Sequence, residues 1–124
     1  MNFQTLFLIL VTVTLSACGQ LALKMGVSKP SVENAMQSGI YETILAALTS
    51  PLIWLGLAIY GLSVALWLWV LAKVDLSVAY PFVGVSFLVT MLFGVFILSE
   101  NVTATRIIGT ILIFTGCVLV ARSA

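Results

Sequence analysis

Histidine is absent from this 124-residue sequence, and charge is scarce: five Lys or Arg and four Asp or Glu, 7% of the chain. Without histidine, neither a Ser-His-Asp triad nor a His-ligated metal site can be assembled. A formal net charge of +1 leaves no basic surface for nucleic acid. Soluble domains carry roughly a quarter charged residues, and disordered chains are poor in apolar ones. Both classes are excluded by an apolar share of 62% and a mean hydropathy of +1.26. Cysteine is limited to Cys18 and Cys117, each inside an apolar run, where a thiol packs as a small hydrophobe and a structural disulfide is not expected. The remaining polar residues build no nucleophile–base or metal constellation and no ATP-binding loop. Catalysis, metals and cofactors are therefore not expected.

What is present is apolar length. A transmembrane helix needs about 20 apolar residues at about 1.5 Å rise each. Four stretches qualify, at about 3–25, 51–72, 76–98 and 102–122. They predict an all-α integral membrane four-helix bundle, one domain over 1–124, with both termini on one side. The runs are continuously apolar, without the alternation of a barrel strand. Pro81 interrupts the third run, and Arg106 lies in the first turns of the fourth, where it can snorkel to the headgroups. The short Lys73-Val74-Asp75 turn makes the second and third spans antiparallel neighbours. The connection over 26–50 is long and opens with the turn-like Ser28-Lys29-Pro30-Ser31. Within it Ile40, Ile44, Leu45 and Leu48 recur at helical spacing, as in a short interfacial helix over 40–49 or an ordinary surface helix. Pro51 suits a first helical turn.

Leu15-Ser16-Ala17-Cys18 matches a lipoprotein cleavage box. The cationic leader such a signal needs is missing from Met1-Asn2-Phe3-Gln4-Thr5, and Gly19-Gln20-Leu21-Ala22-Leu23 continues the apolar run, so this segment reads as a span. Lys24, Lys29 and Arg106 fall on one side of the membrane, and Lys73 and Arg122 on the other. The positive-inside rule then places both termini outside by a margin of one charge. So small a margin also fits insertion in both orientations and an antiparallel homodimer.

The first span carries the most information. Thr12, Ser16, Gln20 and Lys24 recur every four residues and form one polar stripe. Polar groups avoid lipid, so the stripe faces protein or a water-filled cavity. For Thr12 and Ser16 the favoured explanation is hydrogen bonding in helix packing. An amide and an ammonium one turn apart point to binding, although Lys24 near the helix end can also snorkel. In the third span Tyr80 offers a hydroxyl beside Pro81, and Pro81 removes a backbone donor, as a helix hinge or a tolerated helix-start proline would. Gly109 and Gly116, seven residues apart, form a small-residue face on the fourth span suited to a dimer seam. Ahead of that span, Thr103 is placed to cap it, and Glu100 lies near its positive end.

Taken together, Pro51-Leu-Ile-Trp-Leu-Gly-Leu-Ala, Ala79-Tyr80-Pro81, Ser99-Glu100, Ile108-Gly109 and Ala17-Cys18-Gly19-Gln20 with Lys24 resemble the single-repeat, EamA-type members of the drug/metabolite transporter superfamily. Within it they are most similar to the small subunits of the bacterial aminoarabinose-phosphoundecaprenol flippase, where the first connection is shorter. The resemblance implies a subunit of an inner-membrane flippase for an anionic, lipid-linked substrate such as a polyprenyl-phosphate sugar. Lys24 would attract the phosphate, with Gln20, Ser16 and Tyr80 offering hydrogen bonds. Four helices are few for a pathway, so a homodimer or a heterodimer with a similar small subunit is implied. The small multidrug resistance exporters are more distant. The helix-one Glu on which their proton coupling depends falls at Ser16, their aromatic after the helix-three Tyr falls at Val83, and no acid occurs in 3–23. Such an exporter, and a non-transporting scaffold for a membrane glycosyltransferase, are the alternative readings.

Overall fold

A computed structural model describes residues 2–123. Helix α1 runs Phe3–Val27 and is capped by Asn2, whose Oδ1 accepts from the Thr5 amide at 2.8 Å. Two short helices follow, α2 (Pro30–Ser38) and α3 (Ile40–Leu48), separated by Gly39 at φ 137°, a conformation that side-chain-bearing residues rarely adopt. Helix α4 spans Pro51–Lys73 and starts on a proline, where a missing N–H does no harm. The third apolar run is composite: α5 (Leu76–Ala79), a 3-10 turn at Tyr80–Phe82, and α6 (Val83–Phe96). The tighter winding falls on Pro81, which has no backbone donor for an α-helical bond. Helix α7 covers Ala104–Ser123. Four helical runs, Phe3–Val27, Pro51–Lys73, Leu76–Phe96 and Ala104–Ser123, are long and apolar enough to cross a membrane. No strand occurs among the described residues. The protein is an all-α membrane bundle.

Helix α1 is the hub, packing along α4 on one face and against α6 on another. Its contact with α4 is backbone to backbone. A Cβ on Gly19 would lie 3.0 Å from the Tyr60 nitrogen and 3.2 Å from the Gly56 carbonyl oxygen. A Cβ on Gly56 would lie 2.9 Å from the Leu23 nitrogen and 3.0 Å from the Gly19 oxygen. One turn beyond Leu23, a Cβ on Gly26 would meet Ile53 Cγ1 at 2.6 Å. Lipid tails are as apolar as leucine, so helices in a membrane associate through such close small-residue packing rather than through the hydrophobic effect.

The buried core lies toward the end of the bundle that holds the chain termini. Ile9 and Val13 of α1, Val70 of α4, Ala79, Phe82 and Cys117 of α7 pack together there, with Trp67 against them. Trp69 instead points outward, and the Lys73 ammonium sits 5.3 Å from its ring centre, an interfacial cation–π pair. At the opposite end Trp54 Nε1 donates to the Leu48 carbonyl at 2.6 Å and ties α3 to the start of α4. Ile40, Ile44, Leu45 and Leu48 of α3 are all exposed.

Helix α7 is the least embedded of the long helices. Cys117 is its one buried residue among those described, and Ile113 covers Gly84 of α6, with Cγ2 2.9 Å from where a Cβ would stand. Gly109 and Gly116 have nothing of this chain within 4 Å of a Cβ position.

The glycine contacts set the stability expected of variants. Gly56→Val should destabilise the detergent-solubilised protein by about 1–3 kcal/mol, because backbone atoms of α1 have nowhere to move. Gly61→Ala, on the same helix but facing open space, should leave thermal unfolding unchanged or raise its midpoint slightly.

Candidate functional site

The polar stripe of α1 faces into the bundle, beside a gap between α4 and α6, which do not pack on each other as both do on α1. Ser16, Gln20 and Lys24 line one cavity of about 460 Å³, with Tyr60 of α4, Ser86 and Thr90 of α6 on the facing walls. That volume lies within the range of small-ligand sites, about 300–1,000 Å³. A second cavity of about 190 Å³ continues toward the termini, lined by Thr12, Ser16, Ser63, Trp67 and Tyr80 among others. Ser16, Tyr60, Val83 and Ser86 line both. The two cavities therefore adjoin along α1 from Lys24 to Thr12, a distance of about 18 Å at helical rise.

The residues singled out from sequence separate into groups. Ser16, Gln20 and Lys24 come together in the larger cavity. Tyr80 does not join them: it lines the inner cavity with Ser16 and, with Pro81 and Gly116, an outer groove against α7. Pro81 sits in the 3-10 turn. Gly109 lines a groove between α6 and α7, so Gly109 and Gly116 belong to the outer surface rather than to the cavity. Thr12 is buried, and its Oγ1 donates to the Leu8 carbonyl at 2.7 Å, as a packing role requires.

Several lining residues escaped sequence reasoning. Ser63 Oγ donates to the Tyr60 carbonyl at 2.6 Å, Ser86 Oγ to Val83 at 2.5 Å and Thr90 Oγ1 to Phe87 at 3.1 Å. Each hydroxyl spends its proton on its own helix and keeps lone pairs for the cavity. The spacing of Ser86 and Thr90, four apart, was the available signal. Glu100 is the larger surprise. Ser99 adopts φ 55°, turning the chain back at the end of α6, and the Glu100 amide donates to the Gly94 carbonyl at 2.8 Å. The side chain folds over Gly94, where a Cβ would stand 3.1 Å from Oε1, and lines the cavity that holds Lys24. Capping of α7 falls to Thr103, whose Oγ1 accepts from the Arg106 amide at 3.2 Å. Arg106 Nη1 donates to the Asn101 carbonyl at 3.3 Å and so fastens the same loop.

Residues 2–122 match the EamA-like transporter family. Curated relatives named "Probable 4-amino-4-deoxy-L-arabinose-phosphoundecaprenol flippase subunit ArnE" align over nearly the whole chain. The protein from Pseudomonas savastanoi pv. phaseolicola is 34% identical over 110 residues, 89% of this chain and 95% of the relative. One from Pseudomonas aeruginosa is 33% identical over 117 residues, 94% of this chain and 96% of the relative. One from Pseudomonas fluorescens is 30% identical over 121 residues, 98% and 100% of the two chains. No solved structure matches.

The division of labour between Thr103 and Glu100 is open to measurement. Thr103→Ala should cost about 1 kcal/mol of stability through the lost cap. Glu100→Gln should change it by less than about 0.5 kcal/mol, as an exposed residue without a capping bond. Thermal unfolding of both variants in one detergent decides.

Proposed function

The chain belongs to the EamA-like transporter family, and from that premise we propose that it is a flippase subunit for an anionic, lipid-linked substrate of the polyprenyl-phosphate sugar class. It is a multi-pass protein of the bacterial inner membrane, with four helical runs long enough to cross it. Support for the substrate class comes from the relatives' name and, in this molecule, from one feature above all. A cation, Lys24, and an amide, Gln20, line a polar groove in a helix without any acid between Phe3 and Leu23. An ammonium and amide N–H groups are the donors a phosphate needs. The lipid tail stays in the bilayer, so only the headgroup must find polar surroundings. Ser16 and, in the inner cavity, Tyr80 extend those surroundings deeper.

Proton-coupled export of cations is disfavoured by the same residues. Such exchange needs a carboxylate embedded in the membrane, and Ser16 occupies the corresponding place on α1. The working unit is a dimer, with a second copy or a similar small subunit. Its seam lies on the α7 face of Gly109 and Gly116, where this chain leaves room for another backbone.

Mass spectrometry of lipids that co-purify with the full chain tests the substrate class. A polyprenyl-phosphate sugar should be enriched over the bulk membrane and fall by about tenfold or more with Lys24→Ala, the effect of removing a charge-assisted contact. Identical lipid profiles for the two proteins would sink this reading. Strong proton-coupled efflux of quaternary ammonium compounds would favour the exporter instead. Gly116→Leu should shift the dimer toward monomer in detergent, and an unchanged dimer population would reject the α7 seam.

A further inference from the structure

The connection between α1 and α4 carries a helix whose two sides are inverted. At 3.6 residues per turn, Ile40, Tyr41, Ile44, Leu45 and Leu48 of α3 fall on one arc of about 140°, and all five are exposed. The opposite side holds Glu42, Thr43, Ala46 and Ala47, and the last three are half-buried. Small residues thus turn toward the protein and large apolar ones away from it, the reverse of what water selects. A contiguous exposed apolar face of this kind marks an interaction surface. Glu42 and Thr43 keep their polar atoms off that face. Thr43 Oγ1 donates to the Gly39 carbonyl at 2.6 Å, and the Glu42 carboxylate folds back over Gly39, with Oε2 3.0 Å from where a Cβ would stand. Across the Gly39 corner, α2 exposes Glu33, Asn34 and Gln37 instead.

What covers the face follows from where α3 ends. Thr49 and Ser50 lead from it directly into Pro51, the first residue of a membrane-crossing run. One turn into that run, the exposed Trp54 donates to the Leu48 carbonyl at 2.6 Å, so the end of α3 meets the outward-facing surface of α4. Trp and Tyr concentrate at the level of the headgroups, and Tyr41 brings the same character to the arc on α3. We propose that α3 lies in the membrane interface, with its apolar arc set into the leaflet where α4 begins and α2 in the water above it. The occupant of the face is the bilayer itself. The proposal needs only the membrane bundle and is independent of the flippase reading. Anchored in this way, α3 fixes the depth at which α4 starts. That start packs on Gly26, at the end of α1 where Lys24 lines the larger cavity.

Spin labels on the full chain, in vesicles of phosphatidylethanolamine and phosphatidylglycerol, test this by their collisions with two reagents. Oxygen concentrates in lipid, and a nickel chelate stays in water. Cys18→Ala and Cys117→Ala clear the background, and one label is attached through Ile44→Cys, Gln37→Cys or Leu62→Cys. Leu62, exposed in the middle of α4, supplies the lipid reference, and Gln37 of α2 the aqueous one. The label at Ile44 should favour oxygen as the one at Leu62 does, at a depth of about 5–10 Å into the headgroup–acyl boundary. A label at Ile44 that favours nickel, as at Gln37, overturns the proposal. A label there shielded from both reagents overturns it too, because a protein surface then covers the face. Leu45→Cys, on the same arc, should repeat the result for Ile44 and separates the placement of the helix from the effect of one substitution.

Discussion

The backbone contact between α1 and α4 is the constraint on which the rest of the bundle depends. Gly19, Gly56 and Gly26 let these helices approach until a single added methyl would strike main-chain atoms. Helix backbones in a bilayer satisfy their own hydrogen bonds, so surface shape decides which faces close and which stay apart. α4 is drawn to one side of α1, and α6 packs on another side. The angle left between α4 and α6 is the groove. Leu, Ile or Val at Gly56 would push α4 outward and redraw that space, so the glycines shape the site without touching its contents.

Polar lining inside a membrane is expensive unless its hydrogen bonds are met. The groove meets part of that demand internally. Ser63, Ser86 and Thr90 each donate to a carbonyl one turn back on their own helix, so their protons need no outside partner and their lone pairs remain available. Gln20, Lys24 and Glu100 are all exposed, whereas Ser63 and Ser86 are buried. Deep residues are thus mild and self-satisfied, while the charged ones stand at the mouth.

Much of the fold was legible because hydropathy is a local property. The four runs read from apolar length correspond to helical runs, and Thr103 is a cap in the structure as its position ahead of an apolar helix implied. The stripe of α1 was legible for the same reason, since a period of four marks one face whatever that face meets. What required a second chain segment was not. Glu100 sits where a local rule assigns it to the end of α7, yet its side chain answers to Gly94 on the preceding helix and to a cavity shared with Lys24. Tyr80 is close to the stripe in depth but reaches a different cavity from Lys24 and Gln20. Glycine spacing was equally ambiguous. Gly19 and Gly26, seven apart, close on a neighbour within the chain, while Gly109 and Gly116, also seven apart, face open space. Sequence spacing identifies a surface fit for close packing, but the partner is decided by which helices the connections bring together.

The asymmetry of the bundle sets a condition on translocation. The tight core of Ile9, Val13, Val70, Phe82 and Cys117 closes the end that holds the termini, and the larger cavity opens at the Lys24 end. On the proposed flippase function, a headgroup passes from one end to the other. The start of the third run packs into that closed end through Ala79 and Phe82. The 3-10 turn at Tyr80–Phe82 lies there, with a proline that leaves one helical bond unmade and Phe82 anchored in the core. A second subunit inserted in the opposite sense would present its own open end to the other leaflet, and two small bundles could then share a pathway that neither contains alone.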